Sequence, residues 1–423
     1  MLGNGSANTS SSPVTVNGIL GTATSVSVGS GAHNCIVDGT GAVQCWGSNS
    51  YGELGNGSTT SSTTPVTVLG IKSPISLSTG GVHSCAVLSS GPGDGFINGT
   101  VRCWGNNVYG QLGNGTSGRN TNSSTPVIVT GVSNAVSVSA GMDHSCAVLQ
   151  GGSVMCWGAS SLSVPGTGTP ETVAGISSAT SVSVGIAHNC AVLSSGAVQC
   201  WGRNNYGQLG NGTTTDSNIP VTVSGINSAI SVSAGGSHSC ATLVGGTAKC
   251  WGANGFGQLG NGTTTNSSSP VTVSGVSTAT LISAGQDFTC SLLSGGSVQC
   301  WGSDDSGQSG TGRDLVLGFT PGSVVGPNGQ GLLNLTGTAP SSLAADADKV
   351  FAWAEKTFPD FFSPANGPSQ SITGYRYRAY SGGGFLAVND DSGTAHLYYL
   401  GPLSGSTVLD LGLLSAWVTQ AGL

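Results

Sequence analysis

Short stretches in which apolar residues alternate with serine or threonine run through most of the chain. Val182 and Val184, for example, alternate with Ser181 and Ser183. A period of two is typical of β-strands that bury one face. No helical period of comparable length precedes residue 340. The pattern therefore predicts an all-β region up to that point.

The alternating stretches belong to a repeated unit. Cys190, Cys240 and Cys290 follow one another at intervals of 50 residues, and each unit contains four short apolar stretches. Four strands at this period are typical of one blade of a β-propeller. We place a half-repeat at residues 1–20 and full repeats at 21–71, 72–132, 133–176, 177–226, 227–276 and 277–327.

Three features of the unit carry a family resemblance: a G-x-x-H strand, a Trp-Gly pair and a G-Q-L-G-x-G turn, the last at residues 207–212 and 257–262. Together they resemble the repeat of the regulator of chromosome condensation family, in its secreted bacterial form. The resemblance covers residues 1–325 and implies a propeller, usually of seven blades. We therefore expect four-stranded blades over residues 1–335, seven in number with one of them partial.

The repeats depart from the pattern in places. The third unit lacks the glycine turn at residues 162–166, and the sixth has Phe288 in place of histidine and Ser309 in place of leucine. Residues 2–19 are the back half of a unit without its front. Either this fragment completes the ring with strands near the C-terminal end of the propeller, or a front half precedes Met1. The lack of an export signal after Met1 favours the second explanation.

All twelve cysteines lie in the repeats, two in each unit. A hairpin that turns at residues 194–196 sets Cys190 directly opposite Cys200, at the separation a disulfide needs. In the second unit, eight additional residues around 91–98 lengthen the turn without changing this register. The spacing predicts six disulfides, namely Cys35–Cys45, Cys85–Cys103, Cys146–Cys156, Cys190–Cys200, Cys240–Cys250 and Cys290–Cys300.

Zinc is the rival interpretation of these cysteines. His188 lies two residues before Cys190 on the same strand face, and five units share this His-Cys-Cys set. Five equivalent zinc sites in one ring would be unusual, and Phe288 replaces the sixth histidine without loss of the Cys pair. We therefore predict no metal and no cofactor, and histidines that bond to a neighbouring loop backbone. Disulfides in a chain of this size indicate an oxidising compartment: the periplasm, the cell surface or the medium.

Aromatic residues recur at two places in the unit. The tryptophan after the second cysteine is expected to be a packing wedge between blades. The aromatic residue in the glycine turn has two interpretations, a binding rim or a ring that covers the turn glycine. Because no helix follows the turn, it is not a phosphate loop. With Arg119, in an extension of the second unit, the candidate binding residues are Tyr51, Tyr109, Arg119, Tyr206 and Phe256.

Residues 341–423 differ in composition and predict a small α+β domain of unknown function. Helical spacing covers residues 343–358 and ends at Pro359. Strands are predicted at 375–380, 385–389 and 396–400, and a closing helix at 411–421.

Charge limits the function classes. The net charge is −7, only 6% of residues are charged, and the basic residues before 340 are scattered singly, so we expect no nucleic-acid partner. No apolar run is long enough to span a bilayer. Without a catalytic constellation, a non-catalytic scaffold that binds a protein through its loops is the first hypothesis, and a glycan is the alternative ligand. The rival functions are an extracellular enzyme acting on glycans or cell wall and, by family analogy, guanine-nucleotide exchange.

Overall fold

The computed structural model describes residues 1–31, 33–89, 98–159, 168–310 and 318–324, together with five strands between residues 370 and 413. It divides into two compact units. The first comprises Met1–Leu292 with Gln299–Gly322, and the second comprises Leu293–Val298 with Ser323–Leu423. Every regular element in the described residues is a strand. Within the same residues, no helix has the length and apolar character needed to cross a membrane.

Twenty-four strands form six four-stranded antiparallel sheets, which we call blades 1 to 6. Blades 1 to 3 consist of β1 (Ala23–Val28), β2 (His33–Asp38), β3 (Ala42–Gly47), β4 (Ser62–Lys72); β5 (Pro74–Thr79), β6 (His83–Leu88), β7 (Thr100–Gly105), β8 (Ser123–Ile128); and β9 (Ala135–Ala140), β10 (His144–Leu149), β11 (Val154–Gly158), β12 (Glu171–Thr172). Blades 4 to 6 consist of β13 (Ala179–Val184), β14 (His188–Leu193), β15 (Val198–Gly202), β16 (Ser217–Thr222); β17 (Ala229–Ala234), β18 (His238–Leu243), β19 (Ala248–Gly252), β20 (Ser267–Thr272); and β21 (Ala279–Ala284), β22 (Phe288–Leu293), β23 (Val298–Gly302), β24 (Gly318–Ser323).

The hydrophobic core lies between neighbouring blades. In one such cluster, Cys190, Leu209 and Val223 of blade 4 pack with Ala241 and Trp251 of blade 5. The Trp251 side chain is fully buried. It lies against Gly210 of the preceding blade, where even a single added carbon would collide with the indole. The predicted role of the repeated tryptophan as a wedge between blades is confirmed.

The antiparallel strand order fixes which connections share a face of the propeller. Because strand direction reverses at each step, the connections between first and second strands lie on the same face as those between third and fourth strands. We call this side the turn face. The hairpins between second and third strands lie on the opposite side. The first strands of successive blades lie next to one another.

The prediction of seven blades is wrong, because the described residues form six four-stranded blades. Residues 1–22 contain no strand. The half-repeat nevertheless makes the turn of the complete units. Asn17 donates from its backbone N–H to the Gly3 carbonyl at 2.9 Å, as Ser224 does to Gly210 in blade 4.

The half-repeat lies between blade 6 and blade 1. Gly3 approaches the Trp46 indole of blade 1, in the way that each turn glycine meets the tryptophan of the following blade. On the other side, Gly307 of blade 6 lies against Ser11. Residues 1–17 thus occupy the outer part of a place where a further blade would fit. We call the space between blades 6 and 1 the seventh position.

The second unit contains a five-stranded antiparallel sheet in sequential order. Its strands are β25 (Gln370–Ile372), β26 (Tyr375–Tyr380), β27 (Gly383–Asn389), β28 (Ala395–Leu400) and β29 (Val408–Leu413). The three predicted strands are confirmed. The helix predicted from residue 411 is wrong at its start, because residues 411–413 pair with β28 in a sheet, and its remainder lies outside the described residues. The helix predicted over residues 343–358 also lies outside them.

Candidate partner-binding face

An asparagine organises the glycine-rich turn between the third and fourth strands. In blade 4, the Asn204 side-chain oxygen accepts from the Leu209 N–H at 2.9 Å, and its amide donates to the carbonyls of Thr213 and Thr215 at 3.0 Å. Leu209 is fully buried beneath the turn. The Gln208 side-chain oxygen accepts from the Tyr206 N–H at 3.0 Å. The turn is therefore held rigidly from inside while the Tyr206 ring projects from it.

Four of the five sequence-predicted binding residues are these turn aromatics, and all lie on the turn face. They are about half exposed: Tyr51 41%, Tyr109 49%, Tyr206 48% and Phe256 41%. The alternative interpretation, in which the ring covers the turn glycine, stays a prediction. Blade 6 has Ser306 at this position, and the third blade's turn, at residues 160–167, lies outside the described residues. The turn face thus carries aromatic rings on blades 1, 2, 4 and 5.

Arg119, the fifth candidate, is exposed in the same loop as Tyr109. The extension that carries it is tied back to the turn, because the Gly118 N–H donates to the Asn107 carbonyl at 3.2 Å. The Thr121 hydroxyl donates in turn to the Gly118 carbonyl at 2.8 Å. Tyr109 and Arg119 therefore belong to one ordered loop. The insertion near residue 91 belongs to a second-to-third-strand hairpin, on the opposite side, and residues 90–97 lie outside the described residues.

A hydrogen-bond chain joins neighbouring blades at four junctions of the described residues, namely blade 1 to 2, 2 to 3, 4 to 5 and 5 to 6. His188 donates from Nε2 to the Ser239 hydroxyl at 2.8 Å, and Ser239 donates to the Gln208 carbonyl at 3.0 Å. Trp251 donates from Nε1 to the same carbonyl at 2.9 Å. Since the serine proton goes to the carbonyl, the histidine carries its proton on Nε2. The predicted bond from the histidine to a loop backbone is wrong: its partner is a side chain on the following blade.

Burial shapes the acid–base behaviour of these histidines. It lowers the pKa of His33 and His238 to about 4 and, with the charges of neighbouring histidines, that of His83 and His188 to about 3. Burial also lowers the pKa of His144. The rings are therefore neutral at pH 7 and serve as structural donors.

All twelve cysteines form the six predicted disulfides. Each bond joins the second and third strands of a blade, and in blade 4 Cys190 and Cys200 are direct cross-strand partners. Because every cysteine sulfur is in a disulfide, none can be the thiolate ligand that the zinc interpretation requires. Among the described residues, no three metal-ligating side chains come together as a site.

A buried carboxyl group that the sequence analysis missed lies in the blade 1 turn. Glu53 stands where the other turns have glutamine, its side chain is 1% exposed, and Oε2 accepts from the Tyr51 N–H at 2.8 Å. Burial raises the pKa of the Glu53 carboxyl. The signal available in the sequence was that position 53 carries glutamate where four other units carry glutamine.

We expect Glu53→Gln to stabilise the propeller at neutral pH. In blade 6, the Gln308 amide donates to the Ser303 hydroxyl at 3.2 Å, and Ser48 occupies the matching place in blade 1. The substitution removes a desolvated charge and supplies this donor, which we expect to add about 0.5–1.5 kcal/mol to the free energy of unfolding.

Urea unfolding of both proteins at pH 7 and pH 4 measures this effect. The gain should shrink at pH 4, because protonation of the raised-pKa carboxyl removes the charge in the parent protein as well. A loss of stability at pH 7, or an equal gain at both pH values, contradicts the explanation.

Comparison with known proteins agrees with this architecture. The sequence pattern of the regulator of chromosome condensation (RCC1) repeat matches residues 40–87, 98–148, 195–242 and 248–292, and a second pattern of the same name matches 23–53, 135–162, 179–208, 229–258 and 279–308. Together the two patterns cover more than half of the chain.

Two solved structures show the same fold. The crystal structure of Prp20p from Saccharomyces cerevisiae, described with its binding properties to Gsp1p and histones, aligns with a TM-score of 0.60 at 21% identity, over 70% of this chain and 75% of that one. Human WBSCR16 aligns with a TM-score of 0.64 at 22% identity, over 73% of this chain and 84% of that one. The chain belongs to the regulator of chromosome condensation (RCC1) repeat family.

Proposed function

We propose that this chain is a non-catalytic scaffold that binds a protein partner through the turn face. The observation that carries the proposal is the set of half-exposed aromatic rings at equivalent turns of blades 1, 2, 4 and 5. Aromatic residues are enriched at protein interfaces, where they bury large areas at a small loss of conformational entropy. The rigid turns beneath them lower the ordering cost of binding.

The site is expected to be asymmetric around the ring. The loop of blade 2 combines Tyr109 with the exposed, charged Arg119 and is longer than the corresponding loops of blades 4 and 5. Loops carry little of the packing and are therefore free to carry recognition. We propose that the partner contacts blades 2 and 3, with Tyr109 and Arg119 in the interface.

The compartment proposed is extracellular, cell-surface or periplasmic. Six disulfides favour an oxidising environment over the cytosol. The partner is then exposed to the same environment. A protein fits the turn aromatics and Arg119 better than a nucleic acid does, because the basic residues are scattered singly.

Alanine at Tyr109 and Arg119 together is expected to weaken partner binding at least about tenfold, since tyrosine and arginine are frequent interface hot spots. The immobilised chain would first capture surface or secreted proteins of the producing organism, and the affinity of each purified candidate would then be measured by calorimetry. The double variant Tyr206→Ala with Arg203→Ala is the matched control, because blade 4 presents the same residue types in its shorter loop.

The control variant should retain the affinity of the parent protein. Equal losses in both double variants, with unfolding temperatures unchanged, would show that the interface is not centred on blade 2. Retained affinity in both would remove the turn face from the interface.

A further inference from the structure

The side of the propeller opposite the turn face has uncharged connecting segments. Each fourth strand runs away from the turn face, so the connections from one blade to the next lie beside the hairpins between second and third strands. We call this side the hairpin face. In the described part of the chain, these connections and hairpins contain only small, polar uncharged and aliphatic residues. At the strand ends on this side, Asp38 is buried at 1% exposure, and Lys72 is an exposed charge.

The exposed carboxyl groups of the propeller lie elsewhere. Asp143 and Asp287 belong to connections between first and second strands, and Asp216 and Asp305 belong to loops between third and fourth strands. All four are therefore on the turn face. Glu171 lies on the outer strand of blade 3. Among the residues that the structure describes, the exposed negative charge thus avoids the hairpin face.

The second residue of each first strand, next to the hairpin face, allows a comparison between blades. In blades 1, 4 and 6 it is a threonine that donates its hydroxyl to a carbonyl of the neighbouring second strand. The three bonds are Thr24 to Val37 at 3.0 Å, Thr180 to Val192 at 3.2 Å and Thr280 to Leu292 at 3.1 Å. Threonine therefore fits this place and satisfies a backbone acceptor.

Blades 2, 3 and 5 carry an aliphatic residue at the same place. Ile75, Val136 and Ile230 are 51%, 46% and 53% exposed. Without a hydroxyl they cannot make the threonine's hydrogen bond, and they leave apolar surface in water. Because threonine is accommodated in three blades, packing within the blade does not explain these side chains. Contact with another molecule does, since it removes their apolar surface from water.

The exposed aliphatic residues form two patches on the hairpin face. Ile75 and Val136 belong to adjacent first strands, β5 and β9, and make up the first patch. Ile230 makes up the second patch with Val244, which is 70% exposed at the hairpin of blade 5. Val244 donates from its N–H to the carbonyl of Ser228, two residues before Ile230. Blade 4, with Thr180 at the matching place, separates the two patches.

We propose that the hairpin face is the interface of a homodimer, in which the first patch of each copy covers the second patch of the other. A twofold axis between two stacked faces, directed halfway between the patches, forms both contacts at once, since such an interface is isologous. This surface lies beyond the proposed function, because it is opposite the turn face. If the turn face binds a partner as proposed above, the dimer holds two partners on opposite sides.

Charge selects a second copy as the occupant. The chain has a net charge of −7, so two copies repel one another wherever exposed carboxylates meet. Turn faces brought together would oppose their aspartates, whereas hairpin faces bring together uncharged segments. The cores of homodimer interfaces are depleted of charged residues and more apolar than the rest of the surface. Both patches are aliphatic, so each supplies the kind of surface that the other needs to be buried.

Sedimentation equilibrium of the full chain tests the proposal without any partner. As the concentration rises, the mass is expected to approach twice the 41.4 kDa of one chain. Ile75→Thr with Val136→Thr should raise the dissociation constant at least about tenfold, because every dimer contains the altered contact twice. Ile230→Thr with Val244→Ser should have a similar effect, since this patch is the other side of the same contact. Each replacement is the residue that other blades carry at that place, so folding is retained.

Ile219→Thr is the matched control. Ile219 is 66% exposed on the outer strand of blade 4, and blade 2 has Thr125 at the matching place. The change removes the same groups as Ile75→Thr and should leave the dissociation constant unchanged. A chain that stays monomeric at every concentration overturns the proposal. A dimer that either patch variant leaves intact, or that Ile219→Thr weakens as much, overturns it as well.

Discussion

Acidification from pH 7 to pH 4 is expected to destabilise the propeller by several kcal/mol, with a steep fall in the unfolding temperature. Five histidines are buried at the blade junctions, and burial lowers their pKa values, for His83 and His188 to about 3. A depressed histidine pKa means that the folded state binds the proton less well than the unfolded chain. The stability it contributes is present above the unfolded value of 6.5 and is lost as the pH falls.

The size of the effect follows from linkage. One pKa unit corresponds to about 1.4 kcal/mol, so each histidine with a pKa near 3 or 4 removes up to about 3 kcal/mol by pH 4. Glu53, Asp143 and Asp287 act in the opposite direction, because burial raises the pKa of each carboxyl and the folded state holds their protons more tightly. Their pKa values start below that of histidine, so the fall above pH 5 belongs to the histidines.

Urea unfolding at a series of pH values measures this slope, and His238→Phe provides the matched variant. Phenylalanine removes both ring nitrogens and keeps an aromatic ring, and blade 6 carries Phe288 at the same position of its sequence. In the variant, Thr289 keeps its bond to the Gln258 carbonyl at 2.9 Å and loses only the histidine. We expect lower stability at pH 7 and a shallower decline towards pH 4. An unchanged slope would show that the buried histidines do not govern the acid response.

The sequence predicted the features that repeat. Cys190 and Cys200 stand at a spacing that only a tight hairpin satisfies, so the disulfide and the paired strands followed from one observation. The alternation of Ser183 with Val182 and Val184 identified strands in the same way. These features depend on contacts within one blade, which the local sequence specifies almost completely.

Contacts between blades were harder to predict. The acceptor of His188 is Ser239, 51 residues away, and nothing in a single unit indicates that the two meet. The number of complete blades was also missed: the described residues form six, and the half-repeat fills only the outer part of the seventh position. Strands β1 and β13 have the same sequence, yet Val28 of β1 is 70% exposed and Val184, at the matching place in β13, is 6% exposed. This difference depends on the arrangement of complete blades and not on the local sequence.

Reduction of all six disulfides is expected to lower the unfolding temperature by at least about 20 °C. Each bond closes a loop of 10 residues, or 18 in blade 2, and a bond of this size stabilises by about 2–3 kcal/mol through restriction of the unfolded chain. Ten of the twelve cysteines are buried, nine of them completely, and Cys156 and Cys290 are partly buried. A reductant should therefore act slowly on the folded protein and rapidly once denaturant opens the blades.

Thiol titration and calorimetry measure both parts of this expectation. In denaturant without reductant, the chain should show almost no free thiol, and six or more free thiols would contradict the disulfide assignment. Calorimetry would then compare Cys190→Ala with Cys200→Ala against Cys290→Ala with Cys300→Ala. Both double variants lose a loop of the same length, but Cys190 is fully buried at a complete junction and Cys290 is half-buried at the seventh position. If the unfolding temperature falls further for the blade 4 variant than for the blade 6 variant, the difference measures how much the packing of the disulfide between blades adds to stability. Equal falls in the unfolding temperature would assign the whole effect to restriction of the unfolded chain.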